Sequence, residues 1–569
     1  MKSYLNVLRP HFTAVIIFSV VINALVMASP LYMLQLYDRV LSSRSVETLI
    51  SLTAITAFLL LTMAALDLLR AKLLVRAGTV LHQHIATRLF DTVLKRTSSH
   101  PQEPTREAQK DLYDVRQFIS GNGLVALIDA PWVIIFLGVI FAMHPLLGLV
   151  ALVGAVGLFI LAVLAELSTR DQIEASRKAT QHAELCMGQS VKNADTLRVM
   201  GMVPDMAKIW RTGQDIAVGH QDTVSERLGA LSSMSKAMRL LLQMAMLGTG
   251  GWLAIGQEIT PGFMIAASII MGRALAPVEQ ALGAWRGFSA ARRGYQRLDL
   301  LFSMVPEAES RMGLPAPAAK LVVKGLFGGA PGSSVPTIQG INLRLGPGTI
   351  LGVVGPSASG KSTLARLLVG AWPAMSGDVR LDGIDLGALD SGNLGAHIGY
   401  LPQEVELIEG TVQDNISRFS NSPSEQTVKA AKLAGIHDMV LNFPKGYDTV
   451  IGPKGVVLSG GQKQRIGLAR AFFGDPVLIV MDEPDSHLDE GGTRALVRAL
   501  DTLKKEGRVI VVTTHRSTMM PVIDSVLALR DGQVEVVGPT KDVLSKLRGE
   551  APLKPQIASA SAEPILVPQ

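Results

Sequence analysis

Cysteine is all but missing from this sequence. Cys186 is the one thiol among 569 residues, so no disulfide framework can form within the chain, and Cys186 reads as a small packing residue. Charge is scarce as well. Asp, Glu, Lys and Arg make up 18% of the chain against 48% hydrophobic residues, and the mean hydropathy is +0.32. That balance excludes an ordinary soluble protein. The formal charge is +6, but Lys and Arg gather beside apolar segments rather than on a polar face. Such placement orients a chain in a membrane and argues against nucleic acid as a partner. No secretory leader is legible, since the first apolar stretch is too long for one and lacks a small-residue cleavage site. Nor is there an internal repeat of solenoid period.

Long apolar runs are what the sequence has in plenty. Residues 15–34, 49–69, 126–143, 146–164, 240–255 and 261–282 each approach the roughly 20 apolar residues that a spanning helix needs, which predicts six spans. Gly248, Gly250 and Gly251 dilute the fifth; glycine is tolerated where membrane helices pack closely. The connections after the second and fourth stretches exceed 50 residues, and the others are short. Arg70, Lys72 and Arg76 follow the second stretch, Arg170, Arg177 and Lys178 the fourth, and Arg286, Arg292, Arg293 and Arg297 the sixth. The short connection at His144-Pro145 has no basic residue. The positive-inside rule therefore places both long loops and both termini in the cytoplasm. Those loops keep a helical pattern, so the span helices are expected to run well beyond the bilayer.

Two features of this half are singled out. Residues 199–211, with Met200, Met202, Pro204, Met206 and Trp210, are expected to form the turn at the tip of the second long loop. Their apolar side chains read either as an adaptable docking face or as packing between helices. Arg273 and Glu279 fall inside the sixth stretch, where a charge is costly and normally has a partner or water. Their spacing turns them to different sides of one helix. Asp129, at the start of the third stretch, is a candidate partner for Arg273. That pair would either fix helix packing or line a polar transport path.

The second half opens a different chemistry. Gly355-Pro356-Ser357-Ala358-Ser359-Gly360-Lys361-Ser362-Thr363 fits G-x-x-x-x-G-K-[ST], the phosphate-binding loop. An apolar run at 349–354 precedes it as a strand, and 364–369 follow as a helix, which is the context the motif requires. Glycines let backbone N–H groups close around phosphate oxygens at a helix N-terminus. Lys361 is placed to reach the β- and γ-phosphates of ATP, and the Ser362 hydroxyl to ligate Mg²⁺. A second apolar strand, 477–481, ends in Asp482 and Glu483. Asp482 is expected to hold Mg²⁺ and Glu483 to polarise a water at the γ-phosphate.

Leu458-Ser459-Gly460-Gly461-Gln462 is far more specific. With it the chain resembles the ATP-binding-cassette transporters, whose signature motif it matches. The resemblance implies a role for Gln403, in Tyr400-Leu401-Pro402-Gln403, as a contact to Mg²⁺. It implies a D-loop at Ser486-His487-Leu488-Asp489 and a switch histidine, His515, at the γ-phosphate. It also implies a homodimer in which ATP lies between one phosphate loop and the other subunit's Ser459, Gly460, Gly461 and Gln462. His487 stands where the family commonly has alanine and reads as a surface variant. Where the family usually stacks an aromatic ring on adenine, this chain has Gly328-Gly329-Ala330-Pro331-Gly332, with Phe327 the nearest aromatic.

Within that family, Pro30-Leu31-Tyr32-Met33-Leu34-Gln35-Leu36-Tyr37-Asp38-Arg39-Val40-Leu41, Asp129-Ala130-Pro131-Trp132 and Gly272-Arg273-Ala274-Leu275-Ala276-Pro277 resemble spans of type I secretion exporters. The likeness is nearest to the PrtD type, which exports proteases and lipases. The implied fold is an α-helical polytopic membrane domain of six spans at 1–310, a linker at 311–319 and an α/β P-loop cassette at 320–548. Residues 549–569 read as a disordered tail. The implied function is ATP-driven export of unfolded proteins that carry an uncleaved C-terminal signal. The protein would sit in the inner membrane, among its lipid, and work with a periplasmic adaptor and a TolC-like outer-membrane channel. A lipid or small-molecule exporter of the same architecture is the alternative.

Overall fold

A computed structural model describes residues 2–99, 107–305, 316–386, 395–452 and 455–547. The expected tail at 549–569 and residues 311–315 of the expected linker lie outside them. The chain divides into two compact units, a helical one that ends at Val305 and a second that follows it and also takes in the chain from Leu94 to Pro104.

In the helical unit the apolar runs become helices, the form in which a segment bonds all its own backbone groups. Hydroxyls within the runs follow the same rule: Thr53 and Thr56 donate to carbonyls four residues back, Leu49 O at 2.7 Å and Leu52 O at 2.8 Å. Five helical stretches are long and apolar enough to cross a membrane, or six if the bent pair Asn122–Asp129 and Trp132–Met143 counts as one. The expected third span is thus a broken helix, with a bend of 44° at the Ala130-Pro131 joint. The first span is also irregular, passing from Ala28–Gln35 into a π-helical turn at Leu36–Val40. There the Asp38 carboxylate accepts from Gly262 N at 2.9 Å and Thr260 Oγ1 at 2.5 Å. It thereby caps the N-terminus of the sixth span, Pro261–Gly283.

The expected extension of helices past the bilayer is present. Val46–Ser99 has 54 residues, about 80 Å at 1.5 Å per residue, and Pro145–Lys192 and Val203–Ile255 are comparable. Phe136, Ile140, Leu158, Met246, Met271 and Leu275 form a buried core between the last four spans. One of the diluting glycines has a packing reason: a Cβ on Gly250 would meet Met264 Cγ at 2.6 Å, where the fifth span crosses the sixth. Phe58, Leu61, Ile134 and Leu241 are exposed on the outside, which suits lipid rather than water. At the tip, the turn is Met200–Gly201, with Gly201 at φ +68°. Val199 and Met200 are 88% and 68% exposed and so belong to no core, whereas Met206 and Trp210 are half-buried.

The expected Arg273–Asp129 partnership is replaced by another. Asp129 Oδ1 accepts from Asn23 Nδ2 at 2.8 Å, and Asp129 Oδ2 from Arg70 Nη1 at 3.1 Å. Arg70 also donates to Ser19 Oγ at 3.0 Å and to Asp67 Oδ1 at 2.7 Å. The physical reason is burial. Ser19, Asn23 and Arg70 are all buried, and a guanidinium shielded from water requires a carboxylate. Arg273 is exposed in the single chain and is not shut in by its own helices. Glu279 pairs with Arg239 of the fifth-span helix at 3.2 Å.

The second unit alternates β-branched runs with helices. Its strands are β1 (Leu321–Gly328), β2 (Ile338–Leu345), β3 (Ile350–Val354), β4 (Ser376–Leu381), β5 (Ile384–Asp385), β6 (Ile398–Leu401), β7 (Gly410–Thr411), β8 (Val450–Ile451), β9 (Leu478–Asp482), β10 (Val509–Thr513), β11 (Ser525–Arg530) and β12 (Gln533–Pro539). A six-stranded sheet runs β12-β11-β3-β10-β9-β6, parallel except for β12, and an antiparallel sheet runs β2-β1-β4-β5. Strands β3, β9 and β10 are near-continuous apolar runs because both faces of a parallel sheet are covered. Their C-terminal ends lie side by side, and the polar residues just beyond them meet there.

Candidate nucleotide site

Gly355 follows β3, and the loop turns through Ala358 at φ +65° and Gly360 at φ +101° into the helix Lys361–Leu368. At Gly360 the left-handed backbone and a close approach coincide: a Cβ would stand 2.7 Å from Ile338 Cδ1, so only glycine fits. Lys361 Nζ donates to the loop's own carbonyls, Gly355 O at 3.0 Å and Pro356 O at 2.9 Å. The ammonium is therefore held inside the concavity where phosphate oxygens would sit. Burial pushes the Lys361 pKa down, and the charges of Glu483 and Asp482 partly oppose that. Ser359 Oγ is buried without a partner among the described residues.

Asp482 ends β9 beside Thr513, which ends β10. Thr513 Oγ1 donates to Asp482 Oδ1 at 2.6 Å and accepts from Glu483 N at 3.0 Å. Among the described residues Asp482 Oδ2 is buried with no partner, an expensive state that calls for a ligand. Among the described residues no cluster of three His, Cys, Asp or Glu could hold a metal. One carboxylate oxygen plus the Ser362 hydroxyl nevertheless fits Mg²⁺, which keeps most of its water and relies on substrate phosphates.

Glu483 sits at φ +49°, a left-handed conformation uncommon for its type. It brings together the two residues paired with it by resemblance. Gln403 Nε2 donates to Glu483 Oε2 at 3.1 Å, and His515 Nε2 lies 3.4 Å from Glu483 Oε1. These three come from the loop after β6, the end of β9 and the segment after β10, far apart in sequence. A carboxylate held on both oxygens beside a metal-type aspartate can orient and deprotonate a water.

The signature segment forms a capping box. Gln462 N donates to Ser459 Oγ at 3.3 Å, and Ser459 N donates to Gln462 Oε1 at 2.9 Å, opening the helix Gly460–Phe472. Ser459 and Gly460 are exposed. Among the described residues their neighbour is the D-loop of the same chain rather than its phosphate loop. The position of a Cβ on Gly460 lies 3.6 Å from His487 Cδ2, and that on Gly461 lies 2.9 Å from His487 O. His487 is exposed, Leu488 is buried, and the Ser486 hydroxyl lies 3.0 Å from His487 Nδ1. Asp489 caps the next helix, Glu490–Lys505, through Gly492 N at 2.8 Å. That bond and the Arg465 guanidinium hold its carboxyl below the usual range. Phe327 lies on the face of β1 opposite Gly328, whose Cβ position abuts Leu367 of the phosphate-loop helix. Its ring packs toward Gly340 instead.

Three supporting residues escaped the sequence reading. Thr513 orients both acids. Gln464 joins the signature helix to Pro484 O at 3.3 Å, and buried Asp485 accepts from Thr514 Oγ1 at 3.3 Å. The Thr513-Thr514 pair just before His515 was the available signal: hydroxyls at a strand end beside a carboxylate pair.

Comparison with known proteins agrees with this geometry. Residues 338–486 match the family model for the ABC transporter and 12–276 that for the ABC transporter transmembrane region. A type I secretion system ATP-binding protein, PrsD of Rhizobium meliloti, is 38% identical over 550 residues, covering 96% of this chain and 94% of its own length. The alpha-hemolysin translocation ATP-binding protein HlyB of Escherichia coli is 28% identical, covering 95% of this chain and 77% of its own. Cyclolysin secretion/processing ATP-binding protein CyaB of Bordetella pertussis is 27% identical, with 93% and 75% covered. Among solved structures, a bacterial Atm1-family ABC exporter with ATP bound superposes with a TM-score of 0.80 at 20% identity, over 98% of this chain and 100% of that one.

Proposed function

Since this chain belongs to the ABC transporters, and among them to the type I secretion ATP-binding proteins, we propose that it is the inner-membrane exporter of unfolded proteins bearing an uncleaved C-terminal signal. It is a multi-span exporter that hydrolyses ATP. In our reading it works as a homodimer with both termini in the cytoplasm, and hands its cargo to a periplasmic adaptor and a TolC-like channel. The observation that carries the chemical part is the convergence of Gln403 and His515 on Glu483, beside the open oxygen of Asp482.

The roles follow from that arrangement. The phosphate-loop amides and Lys361 bind and neutralise the β- and γ-phosphates. Ser362 and Asp482 would hold Mg²⁺, with Gln403 within reach of the same place; the ion would supply charge neutralisation at the transferred phosphoryl group. Glu483 accepts the proton of the attacking water, and His515 donates to the γ-phosphate. The partner subunit contributes its own copy of the signature segment. Its helix N-terminus offers free N–H groups to an anion, and its exposure in the single chain leaves it available for that contact.

Secretion tests the cargo. Cells lacking the protein should fail to release a C-terminal-signal protein into the medium and should accumulate none in the periplasm. The purified exporter should co-purify with an adaptor protein. Normal secretion, together with lipid translocation by the reconstituted protein alone, would instead establish the lipid exporter.

A further inference from the structure

The loop carrying Gln403 continues into a segment that packs on the signature helix at Gly467 and Arg470. A Cβ on Gly467 would meet Val405 Cγ1 at 2.8 Å and Leu401 Cδ1 at 3.0 Å, so the segment lies flush on that helix. Arg470 Nη1 donates to Glu406 O at 3.2 Å. Further on, buried Asn415 gathers the segment into one body. It donates to Ile408 O at 2.8 Å and Thr411 O at 3.1 Å, and accepts from Ile408 N at 2.9 Å. Thr411 and Asp414 close a capping box on the short helix Val412–Ile416.

Arg418 ends this body. Its guanidinium donates from Nε to Arg470 O at 3.0 Å, from Nη2 to Ala471 O at 3.3 Å, and from Nη1 to Gly395 O at 2.7 Å. The first two are last-turn carbonyls of the signature helix, where the helix dipole is negative and cations are favoured. The third lies just before β6. Arg418 and Phe419 are both left-handed, each at φ +56°. Two adjacent non-glycine residues in that region persist only where surroundings over-determine them. Burial and the neighbouring Arg470 push the Arg418 pKa down to about 10, which still leaves it charged at neutral pH.

We propose that Arg418 is a positioning residue for ATP hydrolysis: by clamping the C-terminal carbonyls of the signature helix to the Gln403 segment, it sets where Ser459–Gln462 stand for the partner subunit's nucleotide. The helix has 13 residues, about 20 Å at 1.5 Å per residue, so a small tilt at the clamp becomes a larger displacement at Ser459. The inference rests on the signature segment serving the partner's nucleotide, as proposed above. Arg418 touches no nucleotide itself and acts only on how readily the two cassettes close.

The test uses the full chain in lipid vesicles, with Arg418→Met and Arg418→Lys. The apparent KM for ATP should rise about tenfold in Arg418→Met while kcat stays within about twofold, the pattern of lost uniform binding. Arg418→Lys should fall between, since it keeps the charge but not the fork. Affinity for a fluorescent ADP analogue, which reports the phosphate loop alone, should be unchanged in both. Lost ADP binding, a fall in kcat at constant KM, or no change at all would overturn the proposal. If Arg418→Met does not accumulate in the membrane, Arg418→Lys alone decides by the same criterion. Ser459→Arg separates the two layers. Normal turnover in that variant would sink the signature reading, whereas its inactivity alongside unaltered Arg418 variants would sink only the role of Arg418.

Discussion

Each half of the chain holds a functional-looking aspartate, half-buried Asp129 and buried Asp482, and the two are treated in opposite ways. In the helical unit both oxygens of Asp129 are occupied, by Asn23 and Arg70, and Arg70 also donates to Ser19 and Asp67. In the cassette Asp482 is fully buried, yet among the described residues one of its oxygens has no partner, and Ser359 Oγ, near Lys361 in sequence, has none either. A closed set of charges fixes how helices pack. An open set keeps a place for something that arrives from outside.

The comparison can be broken by experiment, beginning with the largest expected effect. Glu483→Gln removes the proposed general base and should lower ATP turnover by about 10²–10⁴-fold, with nucleotide binding retained. A turnover assay on the purified variant checks it, and a near-normal rate would remove Glu483 from the chemistry. Asp129→Leu leaves the buried Arg70 with Asp67 as its remaining carboxylate and should destabilise the helical unit by about 1.5–3 kcal/mol, read as a lowered thermal midpoint and membrane yield. Adding Arg70→Met should recover most of that loss if the pair serves packing alone; no recovery would show that these charges do more.

Smaller effects sharpen the contrast. Lys361→Ala would lose the proposed charged hydrogen bonds to phosphate, about 1.5–3 kcal/mol, so titration should show nucleotide affinity falling by about 10–100-fold without loss of fold. Arg273→Leu should leave membrane level and ATP turnover unchanged, because the side chain is exposed in the single chain and fixes none of its helix packing. Secretion is then the informative readout. Lost secretion at normal turnover assigns Arg273 to the transport path, and unchanged secretion removes it.

The sequence exposed the cassette better than the membrane half, for a physical reason. Phosphate binding needs contiguous residues on one loop, so Gly355 to Thr363 and Ser459 to Gln462 are local words. The Gln403–Glu483–His515 meeting is also inferable, because each residue follows a strand of one parallel sheet. Arg70 was visible only as a flanking charge. Its partners Ser19 and Asp129 are 51 and 59 residues away, and nothing local distinguishes it from Arg273 as the mate of Asp129. The Asp38 cap on the sixth span, across 224 residues, and the Arg418 clamp on Arg470, across 52, were hidden for the same reason. Both are side chains serving another segment's backbone, and backbone demand leaves no mark in composition or periodicity.

The left-handed backbone of Glu483 gives this exporter a direction of decay. Holding a non-glycine residue there costs about 1–3 kcal/mol, a strain that glycine would release. Selection for export opposes that change, whereas selection for a well-folded chain favours it. A lineage that no longer needs its cargo outside the cell therefore has a downhill route to silence, one that keeps the protein abundant, membrane-inserted and able to hold nucleotide. Loss of secretion by that route would leave no truncation or instability behind, only a quieter and sturdier protein.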